Sequence, residues 1–187
     1  GIRIRETWEG DIRNKNNQFL LNMKNRYSPI PSFLSIKFDS NLKLDNVSFS
    51  RLFNSNKGSI EVFKEKNSYI WEAKNFPLDE LELSIRNNQF DRIEGIINGS
   101  GSINSDQSYI DGRLAWSLGK YRNIKLANSL FDFSFNDNSF YVNSSLFPID
   151  GGVIEVDYDF NKNNFINLEF KDISTSWTVL TALDIFN

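Results

Sequence analysis

Residues 92–103, with the sequence RIEGIINGSGSI, decide the fold class, because apolar or small residues alternate there with mostly polar ones. One side of the stretch carries Ile93 and Ile97 among glycines, and the other side carries Glu94 and Ser100. Successive side chains of a β-strand point to opposite faces of the sheet. The alternation therefore predicts a half-buried strand with one dry face.

The same period of two recurs along the chain, and short polar turns separate the repeats. It is clearest in residues 34–38, 110–118, 131–135, 140–142, 154–160 and 166–170. About a dozen such segments, spaced about 10–16 residues apart, favour an antiparallel meander over βαβ units. Helix signals are few: Pro77 favours one helical turn over residues 77–81, and residues 176–183 favour a short helix. The predicted fold class is therefore all-β, a mostly antiparallel meander with at most one or two short helices.

The composition excludes several classes of chemistry. The 187 residues include no Cys and no His, so the chain has no disulfide, thiol nucleophile, Ser-His-Asp triad or histidine-ligated metal. Glu94 and Asp111 are candidate paired carboxylates, but surface alternation accounts for them. We therefore expect no enzyme activity, no catalytic residue, no cofactor and no metal. With 21 Lys and Arg against 24 Asp and Glu, the net charge of -3 gives no electrostatic reason to expect nucleic-acid binding.

The strand pattern runs to both ends of the chain. It starts directly after Gly1, and apolar residues continue to Phe186. We therefore expect residues 1–187 to be a single all-β segment of a longer protein, which supplies any membrane anchor.

The apolar side of the predicted strands is rich in phenylalanine, of which the chain has 17. This face has two interpretations: a packed core, worth about 1.5–3 kcal/mol per buried side chain, or an open apolar trough. Strand parity alone does not separate them. Gly95, Gly99 and Gly101 lie on the same side of their strand, where glycine lets another backbone or a ligand come close.

Two segments resemble the TamB family, within the wider AsmA-like group. They are NFPLDELELSI at residues 75–85 and RIEGIINGSGSINSDQSYIDGRLAWSLGKYRNIKL at residues 92–126. The glycines that are similar to the repeat of that family are Gly95, Gly99, Gly101 and the one in Gly112-Arg113-Leu114. The resemblance covers about residues 75–172 and is closest to cyanobacterial members.

The resemblance implies a long β-sheet curved into an open, taco-shaped trough with an apolar interior. TamB-like proteins are anchored in the inner membrane and span the periplasm, which implies a periplasmic or cell-envelope location for this segment. The implied roles are phospholipid transport between membranes and outer-membrane protein assembly. The implied partners are phospholipid acyl chains and an outer-membrane barrel protein of the BamA/TamA kind, but no nucleic acid. Membrane contact would be made by parts of the full-length protein outside this segment.

The resemblance implies an apolar surface on the sheet and no catalytic residues. The candidate lipid-groove residues are Ile93, Ile97, Leu114, Trp116, Phe131, Phe133, Phe140, Val142, Ile154 and Val156. Two alternatives stay open at this point. One is a closed β-barrel or sandwich that binds a small hydrophobe or sugar, and the other is a structural β-solenoid segment.

Overall fold

A computed structural model of the chain describes residues 2–3, 7–15, 18–25, 30–53, 56–79, 81–83, 91–104, 109–122, 124–136, 139–160 and 165–179. The strands are β1 (Ile2–Arg3), β2 (Trp8–Lys15), β3 (Gln18–Asn25), β4 (Ser32–Phe38), β5 (Leu44–Phe53), β6 (Asn56–Glu65), β7 (Ser68–Pro77), β8 (Leu81–Leu83), β9 (Asp91–Asn104), β10 (Tyr109–Tyr121), β11 (Ile124–Asn136), β12 (Ser139–Pro148), β13 (Val153–Asp159) and β14 (Phe165–Lys171). A short helix, α1, covers residues 175–179. Within the described ranges, no helix is both long enough and apolar enough to cross a membrane.

Twelve of the strands form one antiparallel meander, in the order β2-β3-β4-β5-β6-β7-β9-β10-β11-β12-β13-β14. The short strand β8 pairs with the start of β9 and with β1. Among the described residues, β2 and β14 are the two ends of the strand order and do not pair with each other, so the sheet is open. The predicted all-β antiparallel meander is confirmed. A closed barrel or two-sheet sandwich is wrong for these strands, and antiparallel hairpins also differ from the stacked coils of a solenoid.

The register gives the sheet two chemically different faces. Directly paired residues share a face, so a row of partners can be followed from strand to strand. The central row of one face, which we call the apolar face, is Ile12, Leu21, Ile36, Val47, Val62, Trp71, Gly101, Gly112, Phe133, Val142, Tyr158 and Ile166. The neighbouring row on the opposite, polar face is Asp11, Asn22, Ser35, Ser48, Glu61, Glu72, Ser100, Arg113, Asp132, Asn143, Asp157 and Asn167.

The core lies on the apolar face, towards one end of the strands. Its first buried cluster comprises Ala73, Phe76, Leu81, Ile93 and Ile97. Its second buried cluster comprises Leu126, Ile154 and Trp177, the last from α1. We call the end of the strands that holds these clusters the lower end. The opposite end, which carries Tyr69, Ile103 and Phe135, is the upper end.

The helical turn predicted to begin at Pro77 is wrong. Pro77 is the last residue of β7, it is buried, and its carbonyl accepts a hydrogen bond from Arg51 Nη1 at 2.6 Å. The chain then turns, and Leu81 N donates to the carbonyl of Leu78 at 2.9 Å. The burial of Pro77 at the strand end therefore decides the local structure, and its preference for a first helical position does not.

The helix predicted over residues 176–183 is present but starts earlier. Ser174 Oγ accepts a hydrogen bond from Trp177 N at 3.2 Å, which is the contact expected of an N-cap residue. Ser174 therefore caps α1, in place of the expected Ser176. Residues 180–183 lie outside the described part of the chain.

The protein is expected to lose stability at alkaline pH, because Tyr121 at the lower end of the strands then ionises. Tyr121 packs against the first core cluster, and its hydroxyl donates to Asp91 Oδ2 at 3.2 Å. Burial, together with this hydrogen bond, raises the pKa of Tyr121 above its ordinary value of 10.0. A raised folded-state pKa stabilises the protein fully below the unfolded-state pKa, and the effect is lost as the pH rises through the folded-state pKa.

Urea unfolding, followed by circular dichroism, measures this effect. We expect the wild type to lose more stability than Tyr121→Phe between about pH 9 and about pH 11, because the variant has no phenol to ionise. All other ionisable groups are common to the two proteins, so their contributions cancel in the comparison. Equal losses in the two proteins would contradict the expected contribution.

Candidate functional site

The candidate groove residues all lie on the apolar face. They occupy β9 (Ile93, Ile97), β10 (Leu114, Trp116), β11 (Phe131, Phe133), β12 (Phe140, Val142) and β13 (Ile154, Val156). Pairs such as Leu114 with Phe131, and Phe133 with Val142, join them across neighbouring strands. The structure therefore brings them together on one surface, as strand parity predicted, while their contact with lipid stays a prediction.

Trp71 of β7 lies across the middle of the apolar face. Its Nε1 donates a hydrogen bond to the carbonyl oxygen of Asp111 at 3.0 Å, and its ring stacks on Phe133 with the centroids 5.9 Å apart. The ring passes over Gly101 and Gly112, where an added Cβ atom would collide with it. The space that the sequence pattern left for a backbone or a ligand is therefore filled, at these glycines, by a tryptophan from a neighbouring strand.

Trp116 repeats this arrangement at the lower end. Its Nε1 donates to the carbonyl of Glu94 at 3.0 Å, and a Cβ atom at Gly95 would lie 2.6 Å from that nitrogen. Gly95 has a φ of +116°, a conformation that glycine adopts readily, where the register between β9 and β10 shifts. Glycine thus lets the backbone bend and admits the indole ring at the same position.

The lower end of the apolar face is a packed core rather than an open trough. Ile93, Ile97 and Ile154 are only 5%, 9% and 5% exposed. Trp177 of α1 covers part of this region, and its Nε1 donates to the carbonyl of Lys125 at 3.3 Å. These three candidate residues therefore contribute to the core in this structure and do not form part of an accessible lipid surface.

The apolar face is open towards its upper end and towards β14. Phe135 and Phe140 are 46% and 38% exposed, and Phe140 meets the Tyr158 ring with the centroids 6.0 Å apart. The exposed apolar residues of β14 on the same face are Ile166, Leu168 and Phe170. A contiguous exposed strip of this kind is typical of a binding surface.

An apolar hollow on the N-terminal strands was missed by the sequence reasoning. It has a volume of about 390 Å³ and is lined by Trp8, Met23, Leu34 and Phe49, which share the apolar face. The rings of Trp8 and Phe49 meet with their centroids 6.0 Å apart, although β3 and β4 lie between their strands. The alternation at residues 34–38 indicated a strand, but only the pairing register shows that these side chains share a face with the central strands.

The polar face carries ion pairs between neighbouring strands. Arg113 pairs with Asp132 at 2.5 Å, and the hydrogen bond to that carboxylate raises the pKa of the guanidinium. On β13, the hydrogen bond from Lys171 lowers the pKa of the Glu155 carboxyl. Among the described residues, no three or more His, Cys, Asp or Glu side chains are grouped to hold a metal ion. Exposed pairs of this kind are weak, so this face has the chemistry of a water-facing surface.

Comparisons with protein-family models, curated proteins and solved structures found no match to the chain.

Proposed function

We propose that the chain is a segment of a TamB-like, periplasm-spanning protein and that its apolar face binds phospholipid acyl chains. The observation that carries the proposal is the open part of this face, where aromatic and aliphatic side chains of neighbouring strands stay half-exposed. Its central row contains no charged residue on any of the twelve meander strands. Each CH₂ group that leaves water for such a surface gains about 0.8 kcal/mol without directional contacts.

The wider role in this proposal comes from the family resemblance. It comprises phospholipid conduction between membranes, support of outer-membrane protein assembly, and a partner barrel protein of the BamA/TamA kind. The location is the periplasm or cell envelope, and other parts of a longer protein make the membrane contact. A row of side chains that no charged group interrupts supports conduction, because it offers a lipid no strong site at which to stop.

The lipid surface is tested by placing glutamate at two equally exposed positions of β11, one on each face of the sheet. Phe135 lies on the apolar face of β11 and is 46% exposed, while Leu130 lies on the polar face of β11 and is 47% exposed. We expect the purified chain to carry phospholipid that mass spectrometry detects in an organic extract. Phe135→Glu should lose most of it, because a carboxylate placed against acyl chains costs several kcal/mol. Leu130→Glu should retain the wild-type amount.

A second matched pair, Phe140→Glu and Tyr141→Glu on β12, checks that the result does not depend on the choice of one strand. Phe140 and Tyr141 are both 38% exposed, adjacent in sequence and on opposite faces. All variants should keep the circular dichroism spectrum of the wild type. Equal lipid loss from both members of each pair, or a folded wild type that carries no lipid, would overturn the proposed surface.

A further inference from the structure

The polar face has a hollow over β2–β6 that the proposed lipid surface does not use. Its volume is about 660 Å³, which falls within the roughly 300–1,000 Å³ range of small-molecule sites. Its floor consists of short polar side chains: Asn22, Ser35, Ser48 and Ser50. Because longer side chains surround these short ones, the middle of the surface is depressed and lined with hydroxyl and amide groups.

The rim of the hollow carries two ammonium groups, Lys24 and Lys57, beside two carboxylates that already have interaction partners. Asp11 already accepts a hydrogen bond from Arg13 at 2.7 Å, and Glu9 also has an interaction partner. In the part of the chain that the structure describes, neither Lys24 nor Lys57 takes part in an ion pair. Both ammonium groups are therefore available to an anion in the hollow.

Phe33 supplies an aromatic wall. It is 45% exposed and lies between its pairing partners Lys24 and Ser50 on the neighbouring strands. A ring face beside hydroxyl and amide groups suits a sugar, which presents apolar C–H faces and hydroxyls at once, because binding sites combine apolar area with a few orienting polar groups. Nearby ammonium groups add a preference for a carboxylate, since charge-assisted hydrogen bonds are the stronger ones.

We propose that this hollow binds an acidic saccharide. Phe33 packs on one face of the sugar ring, and the floor exchanges hydrogen bonds with the sugar hydroxyls. Lys24 and Lys57 bind the carboxylate. The site lies on the face opposite to the lipid surface, so its occupation does not depend on acyl-chain binding.

Isothermal titration calorimetry of the 187-residue chain tests the proposal with three probes: digalacturonate, the uncharged digalactose of the same linkage, and inorganic phosphate. Digalacturonate is expected to bind about tenfold more tightly than digalactose, the equivalent of about 1.4 kcal/mol for two exposed charge contacts. The double variant Lys24→Gln/Lys57→Gln should remove this difference, and added NaCl should reduce it. Phe33→Ala should weaken the binding of both sugars.

Two control variants keep the site and the lipid surface distinguishable. Lys125→Gln removes an exposed charge from β11 and should leave all binding unchanged. Phe135→Glu should lose lipid but keep the saccharide. The proposal is overturned if digalacturonate does not bind, if digalactose binds equally well, or if the double lysine variant binds like the wild type. Phosphate that binds as tightly as digalacturonate would mean a simple anion site and would overturn the saccharide assignment.

Discussion

Replacing Trp71 with alanine is expected to lower the free energy of unfolding by about 3 kcal/mol, at the low end for a buried Trp→Ala change because the ring is only half-buried. The ring reaches from β7 across β9 and β10, since its Nε1 donates to the Asp111 carbonyl of β10 and the ring stacks on Phe133 of β11. Urea unfolding followed by circular dichroism measures the change. Trp71→Phe, which keeps an aromatic ring but loses the N–H donor, should lie between the alanine variant and the wild type.

A double-mutant cycle that combines Gly112→Ala with Trp71→Ala tests whether glycine is needed at position 112 because the Trp71 ring packs there. Alone, Gly112→Ala should destabilise the protein, because the new Cβ atom would collide with the Trp71 ring. In the Trp71→Ala background part of that cost should disappear, because the collision with the ring is gone and only the contact of the new Cβ atom with the Ser100 carbonyl oxygen, at 2.9 Å, remains under 3 Å. Additive effects would contradict the proposed pairing of tryptophan and glycine.

The second large effect is expected at Arg51, which lies on the apolar face at the lower end of β5 and is 1% exposed. Its Nη1 donates to the carbonyl of Pro77 at 2.6 Å, and its guanidinium lies 5.9 Å from the centroid of the Phe76 ring. Arg51→Ala removes this donor, and the buried carbonyl of Pro77 loses its hydrogen bond from Arg51. The free energy of unfolding should therefore fall by about 3 kcal/mol, measured by urea denaturation.

Two further substitutions serve as comparisons for Arg51→Ala. Arg51→Lys keeps a cation and a donor in the same place, so it should recover part of the lost stability. Arg113→Ala removes an exposed arginine from the polar face and should leave the urea midpoint nearly unchanged. An Arg51→Ala variant as stable as the wild type would show that the contact with Pro77 does not tie β5 to the end of β7.

The shared face of the groove candidates was predictable because strand parity is a local property. A residue such as Phe133 must lie opposite to its neighbours Asp132 and Ser134 in any extended strand. Polar turn signals then suffice to order the strands as hairpins, because short connections favour antiparallel pairing. The sequence therefore predicted the all-β meander and the composition of its two faces.

The accessibility of that face was not predictable, because it depends on contacts between residues far apart in sequence. Ile93 and Phe140 follow the same alternation, yet one is 5% and the other 38% exposed. The difference arises from the core clusters and the α1 helix, which cover only the lower end. The burial of Arg51 was likewise not predictable, because its hydrogen-bond partner, the carbonyl of Pro77, lies 26 residues away in the sequence.

The strand order has a mechanical consequence. Apart from β1 and β8, strands that adjoin in the sheet also adjoin in sequence. Tension between the two edge strands acts across the ladder and peels one hairpin at a time, rather than shearing many hydrogen bonds at once. The hydrogen-bonded pairs of the meander join neighbouring strands, so the inner strands keep their pairing as an outer one detaches. Ring contacts such as that of Trp8 with Phe49 reach over more than one strand and break at separate steps. The chain can thus lengthen in steps under load while a shorter part of its apolar face stays assembled.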